Sequence, residues 1–301
     1  MREQQFSPDK QLRARMWITM LLLGAVYGLF VFVLFALGGS ISTMLIVVVA
    51  LVLFQVWMSD RMVLSSMKAK MVTPAEAPEL HRMVERLAQQ AGIPKPKVAI
   101  SAINVPNAFA TGRSQKTAAV AVTNALIETL TEKQLEAVVA HEISHIRTKD
   151  VVVMTYASFF SIVASTLMSF LFWSSLFGGM GRSRHGGGAG NAMMVAYVVT
   201  IIVWLVSQLL VAALSRYREY AADRGAVELT GQPPELADAL QRIAGSFDRL
   251  PQVDLRKAES MNAFFIMPAI GDGFARVFST HPPMSQRVAR LRALPATRRD
   301  Q

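Results

Sequence analysis

The chain alternates between long apolar runs without a charge and segments of mixed polarity. No Asp, Glu, Lys or Arg occurs from Met16 to Ser59. A bilayer core needs about 20 apolar residues per helix, so this run has room for two crossings. Gly38-Gly39-Ser40 interrupts it, which predicts spans at Met16–Leu37 and Ile41–Met58 joined by a short turn. A signal peptide competes with this reading, but its apolar region runs about 7–15 residues, and this one is longer and followed at once by another. Two further charge-free runs, Val151–Gly181 and Gly186–Ser215, predict spans at Val152–Leu176 and Met193–Leu214. The glycine-rich segment Gly178–Gly190 separates them and carries Arg182, Arg184 and His185, the last read as solvated. A helical hairpin buried in a soluble core is the alternative here; length and the absence of charge favour the membrane.

Residues 60–150 and 215–301 have soluble character. Pro78 opens an amphipathic helix in which Leu80, Met83, Val84, Leu87 and Ala88 form a core-facing stripe, and Gly92 closes it. His81 on that helix reads as a surface residue. Lys97–Ala102 and Thr117–Thr123 are Val- and Ala-rich and predict strands. Between them lies Asn107-Ala108-Phe109-Ala110-Thr111-Gly112. Thr131 and Gln134 have capping-box spacing, and Leu130 and Leu135 can staple the same helix start. That helix runs through Ala137, Val138, Val139 and Ala140 to His141 and His145. No Gly or Pro occurs from Asn191 to Arg224, so the last apolar span can continue as helix through Ser215–Asp223. A further helix is expected at Pro234–Ala244, followed by Met261-Asn262-Ala263-Phe264-Phe265-Ile266, Ser279-Thr280-His281-Pro282-Pro283 and a basic tail. The expected organisation is an N-terminal arm and membrane hairpin (1–59), a first cytoplasmic part (60–150), a second hairpin (151–214) and a second cytoplasmic part (215–301).

Composition agrees. Of 301 residues, 52% are hydrophobic and only 17% charged, against roughly 25% charged in soluble domains. The net charge is +10. No groove-reading motif or aromatic-basic interleaving accompanies it, so nucleic acid is not an expected partner, and neither is a nucleotide. Lys and Arg concentrate in the N-terminal arm (Arg2, Lys10, Arg13, Arg15), in 60–150 and in the C-terminal region. The first short loop carries no charge and the second only two arginines. The positive-inside rule then predicts termini and soluble segments on the cytoplasmic face. The chain has no cysteine, so any metal must be held by His, Asp or Glu.

The chemistry centres on His141-Glu142-Ile143-Ser144-His145, an H-E-x-x-H motif. Residues four apart share a helix face, so both imidazoles can grip one ion. Zinc suits neutral imidazole, and the intervening glutamate can accept a proton from a water at the metal. A catalytic zinc usually takes three protein ligands, and Glu219 is the best third candidate. Asp223 lies one turn later and could fix the tautomer of a ligand histidine. Spacing alone leaves a second reading open, a solvated helix face beside Arg216, Arg218 and Arg224. Topology offers an independent test: His145 and Glu219 are separated by two predicted spans, which return the chain to the side it left. Glu219 follows the last apolar turn by about five residues at ~1.5 Å each, so the site should lie within roughly 10 Å of the membrane surface. That placement leads to an expectation of substrates presented at the bilayer.

The H-E-x-x-H helix, Ser215–Asp223, Asn107–Thr111 and Ser279–Pro283 together resemble the HtpX family of bacterial membrane zinc endopeptidases, which is related to the CAAX-prenyl endoproteases. The resemblance covers nearly the whole chain, including four hydrophobic segments. It implies a mainly α integral membrane protein with four transmembrane helices and a cytoplasmic α+β gluzincin-type zinc protease domain containing a small β-sheet. It implies His141, His145 and Glu219 as ligands of one zinc ion per chain, Glu142 as catalytic base and Asp223 as a partner behind a ligand. By the same resemblance, Asn107, Ala108, Phe109, Ala110 and Thr111 form a substrate-binding edge strand, and His281 and Arg287 are polar groups of the active site.

On this reading Glu142 takes the proton of the attacking water and returns it to the leaving amine. His281 is a candidate donor to the oxyanion, with an ordinary loop histidine as its alternative. The strand near Asn107 would bind extended peptide through its backbone and read little sequence. The expected function is cleavage of misfolded or damaged membrane proteins, a protein quality control and stress-response role in the bacterial inner membrane. A site-specific processing protease and a zinc-bearing membrane scaffold or transporter are the alternatives. The charge-free spans speak against transport.

Overall fold

The helix that carries both histidines starts where local hydrogen bonding predicts. Thr131 Oγ1 accepts from the Gln134 backbone N–H at 3.3 Å, and Gln134 Oε1 accepts from the Thr131 N–H at 3.2 Å. Two otherwise orphaned donors are thereby satisfied, a cap worth ~1 kcal/mol. Leu130 and Leu135, the expected staple pair, are both buried in the main core.

The structure is a computed structural model that describes residues 10–36, 50, 63–150, 152–154, 157, 187–247 and 281–295. In chain order the elements are α1 (Lys10–Ala36), β1 (Ala69–Met71), α2 (Pro78–Ala91), β2 (Lys97–Ser101), β3 (Ala108–Thr111), β4 (Ala119–Thr123), α3 (Asn124–Thr129), α4 (Glu132–Arg147), α5 (Gly187–Thr230), α6 (Pro233–Phe247) and α7 (Met284–Arg292).

The sheet runs in the order β1-β2-β4-β3. β2 and β4 are parallel, with Val98 opposite Val120, while β1 and β3 flank them antiparallel. β3 lies at one edge and packs on α4. Its alternation decides its two faces: Ala108 joins the core under the helices, and Phe109 joins a second cluster with Val63, Met67 and Val105. Gly112 ends β3 at φ +135, and a Cβ there would sit 2.5 Å from Ala118 Cα, so only glycine fits the turn.

The main core gathers Leu87 of α2, Val98, Val120 and Val122 of the sheet, Val139 and Ile143 of α4, Val227 of α5, Leu240 and Ile243 of α6 and Leu291 of α7. Each such side chain contributes about 1.5–3 kcal/mol by leaving water. α4 sits centrally in this packing, against α2, β3, α5 and α6.

α1 and α5 are long and apolar enough to cross a membrane. Each turns large apolar side chains outward: Trp17, Leu21 and Phe32 on α1, Met194 and Ile202 on α5. Helices exposing such faces along their length suit lipid rather than water. Their inner faces meet through Leu23, Tyr27, Val211 and Leu214. Tyr27 donates its hydroxyl to the Ala157 carbonyl at 2.8 Å and also meets Ser207. These helices contain the first and fourth expected spans, except that Leu37 lies outside the described residues. So do the second span at 41–58, apart from helical Ala50, and the third beyond residues 152–154 and 157. Met261–Ile266 and Ser279-Thr280 also lie outside them.

Several expectations need correction. α5 begins at Gly187, so the last four residues of the glycine-rich segment are helical rather than loop. Extending an existing helix adds a hydrogen bond per residue, which offsets the roughly 1 kcal/mol propensity deficit of glycine. His81 is buried rather than on the surface, its Nε2 2.9 Å from the Val72 carbonyl, because the chain entering α2 folds back over it. β1 and α3 were not foreseen; each is too short to show a period. α6 extends past its expected ends, to Pro233 and Phe247.

Candidate metal centre

α4 places His141 and His145 one turn apart, and α5 brings Glu219 across to them. The segment Ser215–Asp223 is continuous helix within α5, as the lack of Gly and Pro predicts. The closeness of α4 and α5 has a local cause. Gly225 faces Ser144, and a Cβ there would lie 2.0 Å from Ser144 Oγ and 3.0 Å from Ser144 Cβ. The missing side chain lets the α5 backbone sit directly on the motif helix.

The donor atoms of His141, His145 and Glu219 all lie within 4.8 Å of one another. His141 Nε2 and His145 Nε2 are 3.1 Å apart. Glu219 Oε2 is 3.6 Å from His141 Nε2, and Oε1 is 3.5 Å from His145 Nε2. Donors on one tetrahedral zinc, each about 2.0–2.1 Å from the ion, stand roughly 3.3–3.4 Å apart. The three separations bracket that value, and an imidazole–imidazole–carboxylate set without sulfur is a donor set zinc accepts in hydrolases. The residues present therefore fit a metal.

The other ring nitrogen of each histidine meets a carboxylate. His141 Nδ1 lies 3.0 Å from Asp223 Oδ1, a charge contact whose angle falls short of a good hydrogen bond. His145 Nδ1 lies 2.6 Å from Asp150 Oδ2. A proton on each Nδ1, facing its carboxylate, would leave both Nε2 lone pairs to the common centre.

Arg287 of α7 completes the buried cluster. It donates Nε to Asp223 Oδ2 at 2.9 Å and Nη2 to Asp223 Oδ1 at 2.6 Å, and Nη1 lies 2.9 Å from Glu219 Oε2. At 1% exposure its guanidinium faces these carboxylates rather than open solvent. His281 Nδ1 lies 3.5 Å from the same Glu219 oxygen.

Burial opposes ionisation of Glu219, but the positive charges of His281 and Arg287 and the two facing histidines outweigh it, holding the carboxyl well below its ordinary value. Burial opposes ionisation of Asp223 too, and Arg287 and His141 hold it low. Burial likewise works against a charge on His141, yet contacts with Asp223 and Glu219 make it more basic than a free imidazole. A proton and a metal thus compete for the same site. Glu142 is buried beside the centre, and Arg287 feels its charge.

The expected edge strand starts one residue later than foreseen: Ala108, Phe109, Ala110 and Thr111 form β3, while Asn107 precedes it, its N–H donating to Thr123 Oγ1 and its carbonyl accepting from the Thr123 N–H, each at 2.9 Å. Among the described residues, no strand pairs with the outer edge of β3. Two residues at the centre were not singled out from the sequence as part of it, Asp150 and Arg218. From the sequence Arg218 reads only as a basic neighbour, and an acid just past the end of the motif helix is the available signal for Asp150.

The model of peptidase family M48 matches residues 74–295. A protease HtpX homolog of Moorella thermoacetica is 51% identical over 292 residues, covering 96% of each chain. Protease HtpX homolog 2 of Methanosarcina acetivorans is 49% identical over 290 residues, covering 96% of this chain and 97% of its own. Among solved structures, that of S. mikatae Ste24p superposes with a TM-score of 0.54 over 92% of this chain and 67% of its own, at 18% identity, a likeness of fold. Chemistry read from distances alone stops at a metal-binding cluster; with these relatives, the chain belongs to peptidase family M48, as a metallopeptidase of the HtpX type.

Proposed function

We propose that this chain is a multi-pass zinc endopeptidase of the bacterial inner membrane that cuts misfolded or damaged membrane proteins at the cytoplasmic face. Residues 60–150 and 215–301 together form its protease domain. One observation carries the reading: the three candidate ligand atoms meet just beyond the apolar part of α5, which ends near Leu214. Glu219 follows by about five helical residues, ~7.5 Å along the axis, so the centre sits at the membrane surface.

When bound to His141, His145 and Glu219, one zinc ion per chain would supply a Lewis acid at the scissile carbonyl. Asp223 holds the His141 ring in the tautomer that presents Nε2, and Arg287 holds Asp223 and Glu219. Glu142 accepts the proton of the attacking water and passes it to the leaving amine. His281 donates to the oxygen that gains charge as the carbonyl is attacked. The open edge of β3, with Asn107 at its start, takes an extended segment of substrate by backbone pairing, which suits unfolded chains of any sequence.

Zinc analysis beside a casein-cleavage assay tests the reading, comparing the native chain with Glu142→Gln. Both should hold stoichiometric zinc, and the variant should lose cleavage by roughly 10²–10⁴-fold. Full proteolysis by the variant would overturn the mechanism. The breadth of the role is read in a deletion strain: accumulation of many membrane proteins supports quality control, whereas accumulation of one shows a dedicated processing protease.

A further inference from the structure

His141 and His145 are each backed by a carboxylate, and each carboxylate is held by a buried arginine. His141 leans on Asp223, which Arg287 grips. His145 leans on Asp150, and Asp150 Oδ1 meets Arg218 Nη2. The second set is buried too: Asp150 is 7% exposed and Arg218 2%.

We infer that Asp150 is the positioning residue of His145, and that with Arg218 it forms a brace between the two ligand-bearing helices. The local backbone is shaped for this. α4 ends at Arg147, Thr148 caps it, and Lys149 takes a left-handed conformation at φ 57. A non-glycine residue seldom adopts that conformation, and it persists only where the surroundings enforce it. The turn swings Asp150 back under its own helix. There Oδ2 meets His145, while Oδ1 accepts the Thr148 hydroxyl and meets the guanidinium of Arg218. Both oxygens of the carboxylate are therefore engaged.

The partners make the brace functional rather than merely cohesive. Arg218 directly precedes Glu219 on α5, so the brace joins the residue next to the third ligand to the second ligand on α4. Asp150 also immediately precedes the charge-free run that begins at Val151. A carboxylate behind a ligand histidine fixes its ring and raises its basicity, and loss of such a partner typically weakens metal affinity 10–100-fold.

The inference rests on His145 being a metal ligand, and its test separates the two ideas. Full-length chain in detergent would be compared with Asp150→Ala, Asp150→Asn and Arg218→Gln. Zinc affinity is read by chelator competition, ligand geometry by the visible absorption of the cobalt(II)-loaded protein, and folding by the unfolding temperature of the metal-free protein. The expected result is a 10–100-fold weaker zinc affinity and an altered cobalt spectrum for Asp150→Ala, with smaller changes of the same kind for Asp150→Asn and Arg218→Gln. If Asp150→Ala is not recovered folded, Asp150→Asn decides by the same readouts, since it keeps the size and one acceptor. Native affinity and an unchanged cobalt spectrum in the folded variants would overturn the brace while leaving the metal centre standing. Failure of the unsubstituted chain to bind either metal would overturn both.

Discussion

Arg287 grips both oxygens of Asp223, at 2.9 and 2.6 Å, across 64 positions of sequence. Its third nitrogen reaches Glu219. One cation from α7 thereby contacts both carboxylates of α5 that face the histidine motif.

Loss of that cation leaves buried Asp223 without its main counter-charge and Glu219 with one fewer. Arg287→Met should destabilise the protein by about 3–5 kcal/mol, the usual cost of breaking a buried pair from one side. Arg287→Lys should recover only part of this, because an ammonium cannot make the same forked contact. Thermal unfolding in detergent measures both; equal stability of native and Arg287→Met chains would contradict the assigned role.

Glu219 and Glu142 should separate cleanly by metal content. Glu219→Ala removes a proposed ligand and should release zinc on dialysis, a loss exceeding the 10–100-fold that follows removal of an outer partner. Glu142→Gln should retain it. Elemental analysis after dialysis distinguishes them, and zinc retained by Glu219→Ala would remove Glu219 from the ligand set.

Gly225→Ala drives a methyl group into Ser144, at the middle of the motif. α5 must then move away from α4, with a cost of about 1–3 kcal/mol, as for other overpacked contacts. Adding Ser144→Ala removes the 2.0 Å clash with the hydroxyl but not the 3.0 Å approach to Cβ, so recovery should be partial. Proteolytic rate and unfolding temperature of the single and double variants test this, and an unaffected Gly225→Ala chain would show that the helices are not held this close.

The metal-free chain should be most stable in a window below neutrality. Glu219 and Asp223 have lowered values, so their contribution is complete above about pH 4.5 and disappears as pH falls through the depressed values. His141 is raised, so its contribution is complete below about pH 6.5 and disappears as pH rises through its raised value. Unfolding temperature against pH should therefore fall on both sides of that window. Bound zinc should lift the alkaline limb, since it favours the deprotonated imidazole.

Legibility followed the range of the interaction. The Thr131–Gln134 cap, the α2 stripe closed by Gly92 and the motif itself rest on residues within a turn or two of each other, and each was legible from the sequence. The buried position of His81 was not, since it depends on Val72, which folds back over the helix from outside it. Nor was the part of Asp150 and Arg218. Asp150 meets His145 only because Lys149 adopts a left-handed turn, and it meets Arg218 only because α5 packs on α4.

By itself the sequence determined the apolar runs, the capped helix with His141 and His145 on one face, and, through parity of spans, that Glu219 could return to the same side. These follow from backbone periodicity and the cost of charge in lipid, which act locally. Only the tertiary structure decided that Glu219 stands 3.5–3.6 Å from both histidines, and that each ring is backed by its own carboxylate and arginine. Those distances are set by how closely two helices approach, and the absence of a side chain at Gly225, facing Ser144, allows that approach.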